Sequence, residues 1–411
     1  MFKGNFLFTD SFGNLVKKPK ETTTTTTQQQ IEDIIPFFTA NAASSIPPQF
    51  FSGMQLKNIY NIPTITPLTN TTKKVTIAII VAFTYPNLKS DLAYYWQNPI
   101  NFGPTSTPPK INVYTMKGAT RNTGWAQEEC LDVQMVCTIN PNANIWVIEA
   151  KSATYVDLIA AMTYATDTVK ADVVSMSWGG GETKGLLDYN PSFTNPAVCY
   201  CAASGDANRV SWPATSPNCV AVGGTTLLWN PNLTPPRTEY ACNFSGCGYS
   251  NIYTQPAYQS GAITNSYRSI PDISLIADNN TSVYSVYNNS WYGVGGTSVA
   301  TPIFAGIVSL ANQQRLNAGK SVLTSVVPAF VAPGKPVPVP NHLQTYLYKT
   351  VYPNTPLYSS IFYDVTSGTD KGSTSGNALT LTTYSATSKF DVPTGLGSPN
   401  VLNFCNALMN L

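Results

Sequence analysis

The chain is predicted to adopt an α/β fold, a mostly parallel central sheet with helices on both faces, and three observations predict it. Short apolar runs at 75–83, 145–148, 173–176 and 198–202 read as buried strands, and helical stretches fall between them around 125–137 and 155–169. Alternation of that kind builds a parallel sheet covered by helices. Two of the runs end in Ser177-Trp178-Gly179 and Ser204-Gly205-Asp206, and sites in such sheets form at the carboxyl ends of the strands. The third observation is Gly295-Gly296-Thr297-Ser298-Val299-Ala300-Thr301-Pro302 with the apolar stretch 303–308 behind it, which reads as a nucleophilic serine opening a buried helix.

A serine hydroxyl is a weak nucleophile until a base takes its proton. The chain has a single histidine, His342, and it lies downstream of the serine, beyond a Pro-rich stretch at 328–340. The run resembles that of subtilisin-type proteases, whose histidine lies upstream of the serine, so the resemblance excludes a Ser-His-Asp triad here and implies that the base is a carboxylate. Glu128 and Asp132 are the best candidates. They are spaced i,i+4 and meet on one helix face. Leu131, Val133, Val136, Cys130 and Cys137 make most of the remaining circumference apolar, and a helix apolar nearly all round is a buried one. Two charges on a solvated helix face are the plainer alternative, but the chain holds only 21 acidic residues and this stretch is poor in other polar groups.

The segment Glu128-Glu129-Cys130-Leu131-Asp132 resembles the Glu/Asp segment of the sedolisins, the serine-carboxyl peptidases, which are subtilisin-like in fold with glutamate in place of histidine. Further segments are similar in the same order: Ser177-Trp178-Gly179-Gly180, Ser204-Gly205-Asp206, Trp212-Pro213-Ala214-Thr215, Gly223-Gly224-Thr225, Ile270-Pro271-Asp272 and Gly295-Gly296-Thr297-Ser298. The resemblance covers about residues 54–411. It implies that Ser298 attacks a peptide carbonyl, that Glu128 is the general base, and that Asp132 shares a proton with Glu128 and orients it. It also implies that Asp206, protonated, donates to the developing oxyanion, and that Ser177, Trp178, Gly179 and Gly180 bind the substrate backbone. A neutral aspartic acid is a condition of acid, so the expected optimum lies well below neutrality.

Near the C-terminus, Phe362-Tyr363-Asp364-Val365 and Thr387-Ser388-Lys389-Phe390-Asp391 resemble the family's calcium loop. Carried over, one structural calcium ion takes carboxylates from Asp364 and Asp391 and carbonyls from Val365, Thr387 and Lys389, all hard oxygens of the kind calcium prefers. The family usually has glycines where this chain has Thr387 and Lys389, and a cationic side chain beside the ion is unfavourable.

Bulk properties bound the rest. Charged residues make up 11% of the chain against about 25% in an ordinary domain, a surface whose charge changes little as pH falls. A net charge of +2 without basic clusters argues against nucleic acid as a partner. No apolar run has the length to cross a bilayer. The expected partner is a peptide or protein substrate, and the chain is read as a monomer. The spacing of Cys242 and Cys247 permits a small disulfide loop, while Cys130 and Cys137, two turns apart on one helix, cannot pair. Cys199 and Cys201 share one face of a strand.

Residues 1–53 read as a low-complexity tail, with Thr22–Thr27 and Gln28–Gln30 unable to build a core. The catalytic domain, calcium loop included, is expected over 54–411. Stretches 228–268 and 319–341 look like surface loops. No cationic start and apolar core mark a signal peptide, although the resemblance suggests an acidic or extracellular compartment. Sedolisins generally carry an N-terminal prodomain, and none is evident before residue 54. Two other functions stay open, a catalytically idle, calcium-stabilised binding relative and an esterase using the same serine.

Overall fold

The computed structural model describes residues 34–37, 39–42, 50–67, 73–326, 341–374 and 377–411. Eight strands build the central sheet: β1 Thr76–Ala82, β2 Ile111–Thr115, β3 Asn144–Ala150, β4 Val173–Met176, β5 Cys199–Ala203, β6 Cys219–Trp229, β7 Arg237–Ala241 and β8 Ile273–Ile276. Across the sheet the order runs β2-β3-β1-β4-β5-β6. The far edge of β6 is shared, with β8 parallel along Val222–Thr225 and β7 antiparallel along Thr225–Trp229. Every other pairing among these strands is parallel. All seven residues of β1 are buried, so both faces of the sheet are covered. That is why the strands read as continuous apolar runs rather than alternating ones.

Two helices position the chemistry. The carboxylate helix, Thr123–Ile139, starts where the Asn122 side chain accepts the Trp125 N–H at 3.1 Å, a capping bond that satisfies one of the orphan donors of the first turn. From Glu128 to Ile139 every residue is buried, as its apolar circumference requires. The serine helix, Thr297–Asn317, is buried along most of its length as well. The two touch closely because Gly306 has no side chain: a Cβ there would stand 2.6 Å from Cβ of Ile139. Asn140 donates to the Ser309 hydroxyl at 2.9 Å and locks the same ends together. On another side of the carboxylate helix, Gln134 takes the Ser285 hydroxyl at 3.0 Å and the Val286 N–H at 2.8 Å, and donates back to the Val286 carbonyl at 2.8 Å.

A buried ion pair ties the end of the sheet. Arg268 meets Asp272 at 2.5 Å with both side chains fully buried. Asp272 also accepts the Ala221 N–H and the Tyr348 hydroxyl, each at 2.9 Å. A buried charge pair of this sort is tolerable only when its remaining lone pairs are bonded, as they are here.

The stretch 228–268 is not a plain loop. It holds β7 and the strands Gly248–Thr254 and Tyr267–Ile270. Its polar residues satisfy each other: buried Glu239 accepts from Arg237 and Thr225, and the Arg237 guanidinium lies 4.4 Å from the Tyr60 ring centre. Within 319–341, residues 327–340 lie outside the described residues. The expected tail also ends earlier than residue 53. Its Thr/Gln run lies outside the described residues, but Ile35–Pro36 and Thr39–Ala42 are strands and Ser52 caps the helix Gly53–Ile59 through a capping box with Gln55. Apolar Ile34, Phe37, Phe50 and Phe51 give this part of the chain something to bury, and all four are buried. All eight cysteines are buried free thiols, Cys242 and Cys247 included; the Cys247 thiol donates to the Lys371 carbonyl at 3.3 Å instead.

The close helix contact gives a stability prediction. Gly306→Val is expected to destabilise the fold by about 1–3 kcal/mol through overpacking against Ile139, read by urea unfolding. An unchanged midpoint and slope would mean that the helices have slack at this point.

Candidate active site

Ser298 is the second residue of the serine helix, and its placement follows from the glycine before that helix. Gly296 adopts φ +116°, a conformation L side chains rarely take, and so turns the chain sharply from the strand Ser290–Gly295 into the helix. Ser298 is buried. Its hydroxyl donates to the Ser177 carbonyl at 3.1 Å, and its backbone N–H, at the positive end of the helix, donates to the Phe37 carbonyl at 3.0 Å.

Glu128 and Asp132 face Ser298 from the carboxylate helix and are fully buried. Ser177 Oγ donates to Asp132 Oδ1 at 2.7 Å. The other Asp132 oxygen and both oxygens of Glu128 receive no hydrogen bond of regular geometry. A carboxylate so poorly solvated is costly, so the pair favours keeping a proton between its two groups. Burial pushes Glu128 well above the usual carboxylate range, and the nearby Asp132 charge and a hydrogen bond between the two carboxyls add to this; an interaction with the Ser298 hydroxyl pulls the other way. Burial likewise raises Asp132, while the bond from Ser177 and its contact with Glu128 lower it. Two close carboxyls titrate as a pair and resist ionising together.

Asp206 follows β5, half-buried, beside the start of the serine helix. Thr297 donates to its Oδ1 twice, from N–H and from hydroxyl, each at 2.8 Å. Burial raises its pKa to about 7, against the lowering effect of the two Thr297 bonds. Below neutrality it is therefore a neutral acid with an O–H to donate.

The strand end Ser177–Gly180 divides its labour. The Ser177 side chain serves Asp132, while its carbonyl faces Ser298. The Trp178 indole is fully buried and donates to the Ile80 carbonyl at 2.9 Å, so only its backbone lines the cleft. Gly179 and Gly180 are packed too closely for a side chain: a Cβ on Gly179 would stand 2.4 Å from the Trp212 carbonyl oxygen and one on Gly180 2.7 Å from the Tyr155 hydroxyl. His342 is elsewhere engaged. It is buried, its Nδ1 accepts the Thr345 N–H at 3.0 Å, and its Nε2 lies 3.2 Å from the Ser325 carbonyl. Burial depresses its pKa to about 4, so it is a neutral structural group.

A subtilase family model matches residues 115–369. The chain belongs to the subtilase family. Among curated relatives, kumamolisin of Bacillus sp. (strain MN-32) is 28% identical over 336 residues, covering 73% of this chain and 55% of kumamolisin. Tripeptidyl-peptidase 1 of Homo sapiens is 27% identical over 234 residues, covering 48% and 41%. A solved Pseudomonas sedolisin, described as a serine-carboxyl proteinase complexed with two molecules of pseudo-iodotyrostatin, superposes with a TM-score of 0.67 at 21% identity, covering 88% of this chain and 98% of that one. Within the subtilases the chain is thus a sedolisin-type, subtilisin-like domain. It spans about half the length of kumamolisin and less of the tripeptidyl-peptidase.

Some residues of this subtilase's site are not singled out by sequence reasoning. Thr297 sits inside the serine motif, yet its role as the donor pair on Asp206 emerges only from the fold. Glu129 and Glu149 form a second carboxyl pair behind the first. Glu149, at the end of β3, accepts the Tyr85 N–H at 3.0 Å and the Thr115 hydroxyl. Burial first, then the Glu149 charge and a hydrogen bond to it, raise the Glu129 pKa well above the ordinary range. Its position next to Glu128 on a helix buried all round was the available signal. Phe37 had no such signal, because it lies in the stretch read as a tail.

Asp364 and Asp391 are brought together by the C-terminal loops. Asp364 accepts the Lys389 N–H at 2.9 Å on both oxygens, the Tyr358 hydroxyl at 3.0 Å and the Ser388 hydroxyl at 3.1 Å. Asp391 accepts from the N–H groups of Thr394 at 2.8 Å and Thr387 at 3.1 Å. Neither forms an ion pair with Lys or Arg among the described residues; the Lys389 ammonium turns away to the Tyr352 carbonyl at 3.3 Å. Among the described residues no three or more His, Cys, Asp or Glu are grouped to hold a metal ion. Two carboxylates without a cationic side chain suit a hard cation, although the loop's own N–H groups already occupy part of their capacity.

The raised carboxyls fix a direction for stability against pH. Asp206, at about 7 against 3.8, and Asp370, at about 8 against 3.8, bind more protons in the folded chain than in the unfolded one. The buried Glu128–Asp132 pair acts in the same sense. Their contributions are fully present below the unfolded value and are lost as pH rises through the folded values. His342, with its pKa lowered, works the opposite way between its ordinary value of 6.5 and about 4. One group opposes several, so the melting temperature is expected to fall as pH rises from about 5 to 8, as scanning calorimetry would show. A rise over that range would mean the carboxyls are ionised in the fold.

Proposed function

We propose that this subtilase hydrolyses peptide bonds by a serine-carboxyl mechanism in acid. The observation that carries the reading is the buried Glu128–Asp132 pair facing a serine at a helix N-terminus, with the chain's one histidine held elsewhere as a neutral structural group. Ser298 Oγ attacks the scissile carbonyl as Glu128 takes its proton. Asp132, fixed by Ser177 at 2.7 Å, orients Glu128 and shares the pair's proton. The negative charge that forms on the carbonyl oxygen is met by the Ser298 N–H and by the O–H of neutral Asp206, which Thr297 holds by Oδ1. Glu128 then returns the proton to the leaving amine, and a water repeats the cycle on the acyl-enzyme. An extended substrate backbone pairs with Ser177–Gly180, which favours a peptide over a simple ester.

Peptide hydrolysis measured from pH 3 to 8 tests this. Ser298→Ala and Glu128→Gln are each expected to lower kcat/KM by about 10⁴-fold or more. Asp206→Ala is expected to lose roughly 10²–10³-fold, as for any oxyanion donor. Asp206→Asn keeps a donor at all pH values, so it should be less impaired and should lose the alkaline decline near pH 7 seen with Asp206. Full activity in Ser298→Ala would refute the mechanism. No hydrolysis by the folded protein at any pH would favour a binding role for the domain.

The same reading extends to one structural calcium ion on the C-terminal loops. Asp364 and Asp391 would hold it by carboxylates, with carbonyls of Val365, Thr387 and Lys389, and its charge would cancel the repulsion between two carboxylates lacking another cation. Adding calcium to chelator-treated protein is expected to raise the melting temperature, and Asp391→Asn to remove that rise. An unchanged temperature would mean that hydrogen bonds alone close the loops.

A further inference from the structure

Asp370 is a buried acid with no part in the hydrolysis described above. It lies on the strand Thr369–Thr374, opposite Tyr384 of the strand Asn377–Ser385, and is 2% exposed. No Lys or Arg pairs with it among the described residues. Its Oδ1 accepts the side-chain amide of Asn208 at 2.7 Å, while its Oδ2 receives no hydrogen bond of regular geometry. Burial raises its pKa to about 8, against the lowering effect of Asn208 and of the Lys371 and Ser245 N–H groups. In acid it is therefore a neutral group. Burying a carboxyl with so few partners is costly, and its one side-chain partner leads to the active site.

Asn208 stands two residues past Asp206. Its φ of +56° is in the left-handed region, which Asn tolerates better than most side chains. The amide uses both of its hydrogens, the second going to the Asn243 carbonyl at 2.8 Å. The Asn208 backbone N–H donates to the Phe244 carbonyl at 3.2 Å, and the Gly246 N–H to the Gly205 carbonyl at 2.6 Å. Gly246 is set so deep that a Cβ there would stand 2.1 Å from the Ser204 carbonyl oxygen and 2.6 Å from that of Arg209. Further on, the Val210 N–H donates to the Ser373 hydroxyl at 3.2 Å. The loop 205–210 is thus clasped between the turn 243–246 and the strand that carries Asp370 and Ser373. Thr297 fixes one carboxyl oxygen of Asp206 from the front; the clasp fixes the backbone behind it.

We propose that Asp370 and Asn208 are positioning residues for the oxyanion acid: their hydrogen bond holds the 205–210 loop where Asp206 stays desolvated and aimed beside the Ser298 N–H. The proposal rests on the serine-carboxyl reading. Misplacing a group by about 1 Å at a reacting centre can cost about a hundredfold in rate. Loosening the clasp therefore has two effects. The Asp206 carboxyl drifts from the developing negative charge, which lowers kcat and leaves the substrate backbone paired with Ser177–Gly180. Water also reaches Asp206, and because burial is what raises its pKa, the acid then loses its proton at lower pH. Glu128 and the Cys242 thiol are titratable groups that interact with Asp206, and the clasp variants keep both.

The test is kcat and KM from pH 3 to 8 on an internally quenched oligopeptide that the unaltered chain cleaves. The variants are Asn208→Gly, Asp370→Leu and the two combined, with Asn208→Gly repeated in an Asp206→Ala background. Glycine suits the left-handed backbone at 208, and leucine is close to aspartic acid in shape without its acceptor. Each single variant is expected to lower kcat about tenfold with KM within about twofold. The combined variant should be no slower than either, because both changes break one bond. The alkaline limb of the kcat profile should move toward acid by about half a pH unit or more. In the Asp206→Ala background Asn208→Gly should change kcat by less than about twofold, since the acid it serves is gone. An equal tenfold loss with and without Asp206 overturns the proposal, because the loop would then act on the fold at large. Unchanged kcat in Asn208→Gly, or a change confined to KM, overturns it as well. Should Asp370→Leu fail to fold, Asn208→Gly in the two backgrounds decides alone. An Asp206→Ala chain as fast as the unaltered one overturns the oxyanion assignment and this proposal with it, an outcome distinct from a fast Asn208→Gly beside a slow Asp206→Ala.

Discussion

Glu128 and Asp132 bring two carboxyl groups to a place that water does not reach, and most of the site is arranged around that constraint. Ionising both there would set two charges against each other without solvent. The structure supplies one donor to the pair, Ser177, and leaves three of the four oxygens without a regular hydrogen bond. Protons have to make up the difference. The pair therefore favours sharing one proton, and in the proposed mechanism its burial sets the pH at which it can act as a base. The helix that carries the pair packs on the serine helix, with Gly306 against Ile139 further along.

What was legible in the sequence follows from the same physics. The parallel sheet was visible because strands covered on both faces must be apolar throughout, as β1 is. The carboxyl pair was visible because two acids on an otherwise apolar helix have nowhere solvated to go. The exclusion of His342 came from the resemblance of the serine run to those whose histidine lies upstream, and the fold shows the ring engaged elsewhere, capping a short helix and lying 3.2 Å from the Ser325 carbonyl. The strands within 228–268 were hidden because edge strands carry polar residues that satisfy each other, as Glu239, Arg237 and Thr225 do. Phe37 was hidden for a different reason. A short apolar patch behind a Thr/Gln run carries no period, and its partners, Ser177 and Ser298, are far away in sequence.

The glycines of the cleft connect the fold to the site. At Gly179 the backbone meets the Trp212 carbonyl so closely that no side chain fits, and the Phe37 ring packs against the same glycine. Gly205, with φ +112°, turns the chain between β5 and Asp206 and borders the same ring. One residue type therefore serves two purposes, close backbone packing at Gly179 and a positive-φ turn ahead of Asp206 at Gly205. Trp178 between them does the opposite: its indole is anchored in the core at Ile80, which holds the strand end rigid while its backbone stays available.

Acid favours the protonated form of several carboxyls in this molecule. Desolvation raises Asp206 to about 7, and the proposed mechanism needs it to keep its proton. Glu129, behind the Glu128–Asp132 pair, is raised well above the ordinary range by burial and by the Glu149 charge. Stability follows the same groups in the same direction, since carboxyls protonated more readily in the fold than in the unfolded chain favour the fold as pH drops. In the proposed mechanism activity and stability are consequently not traded against each other. The protonated acids that mechanism draws on are among those that make the folded chain prefer acid, and a substitution that lowers their proton affinity is expected to weaken both.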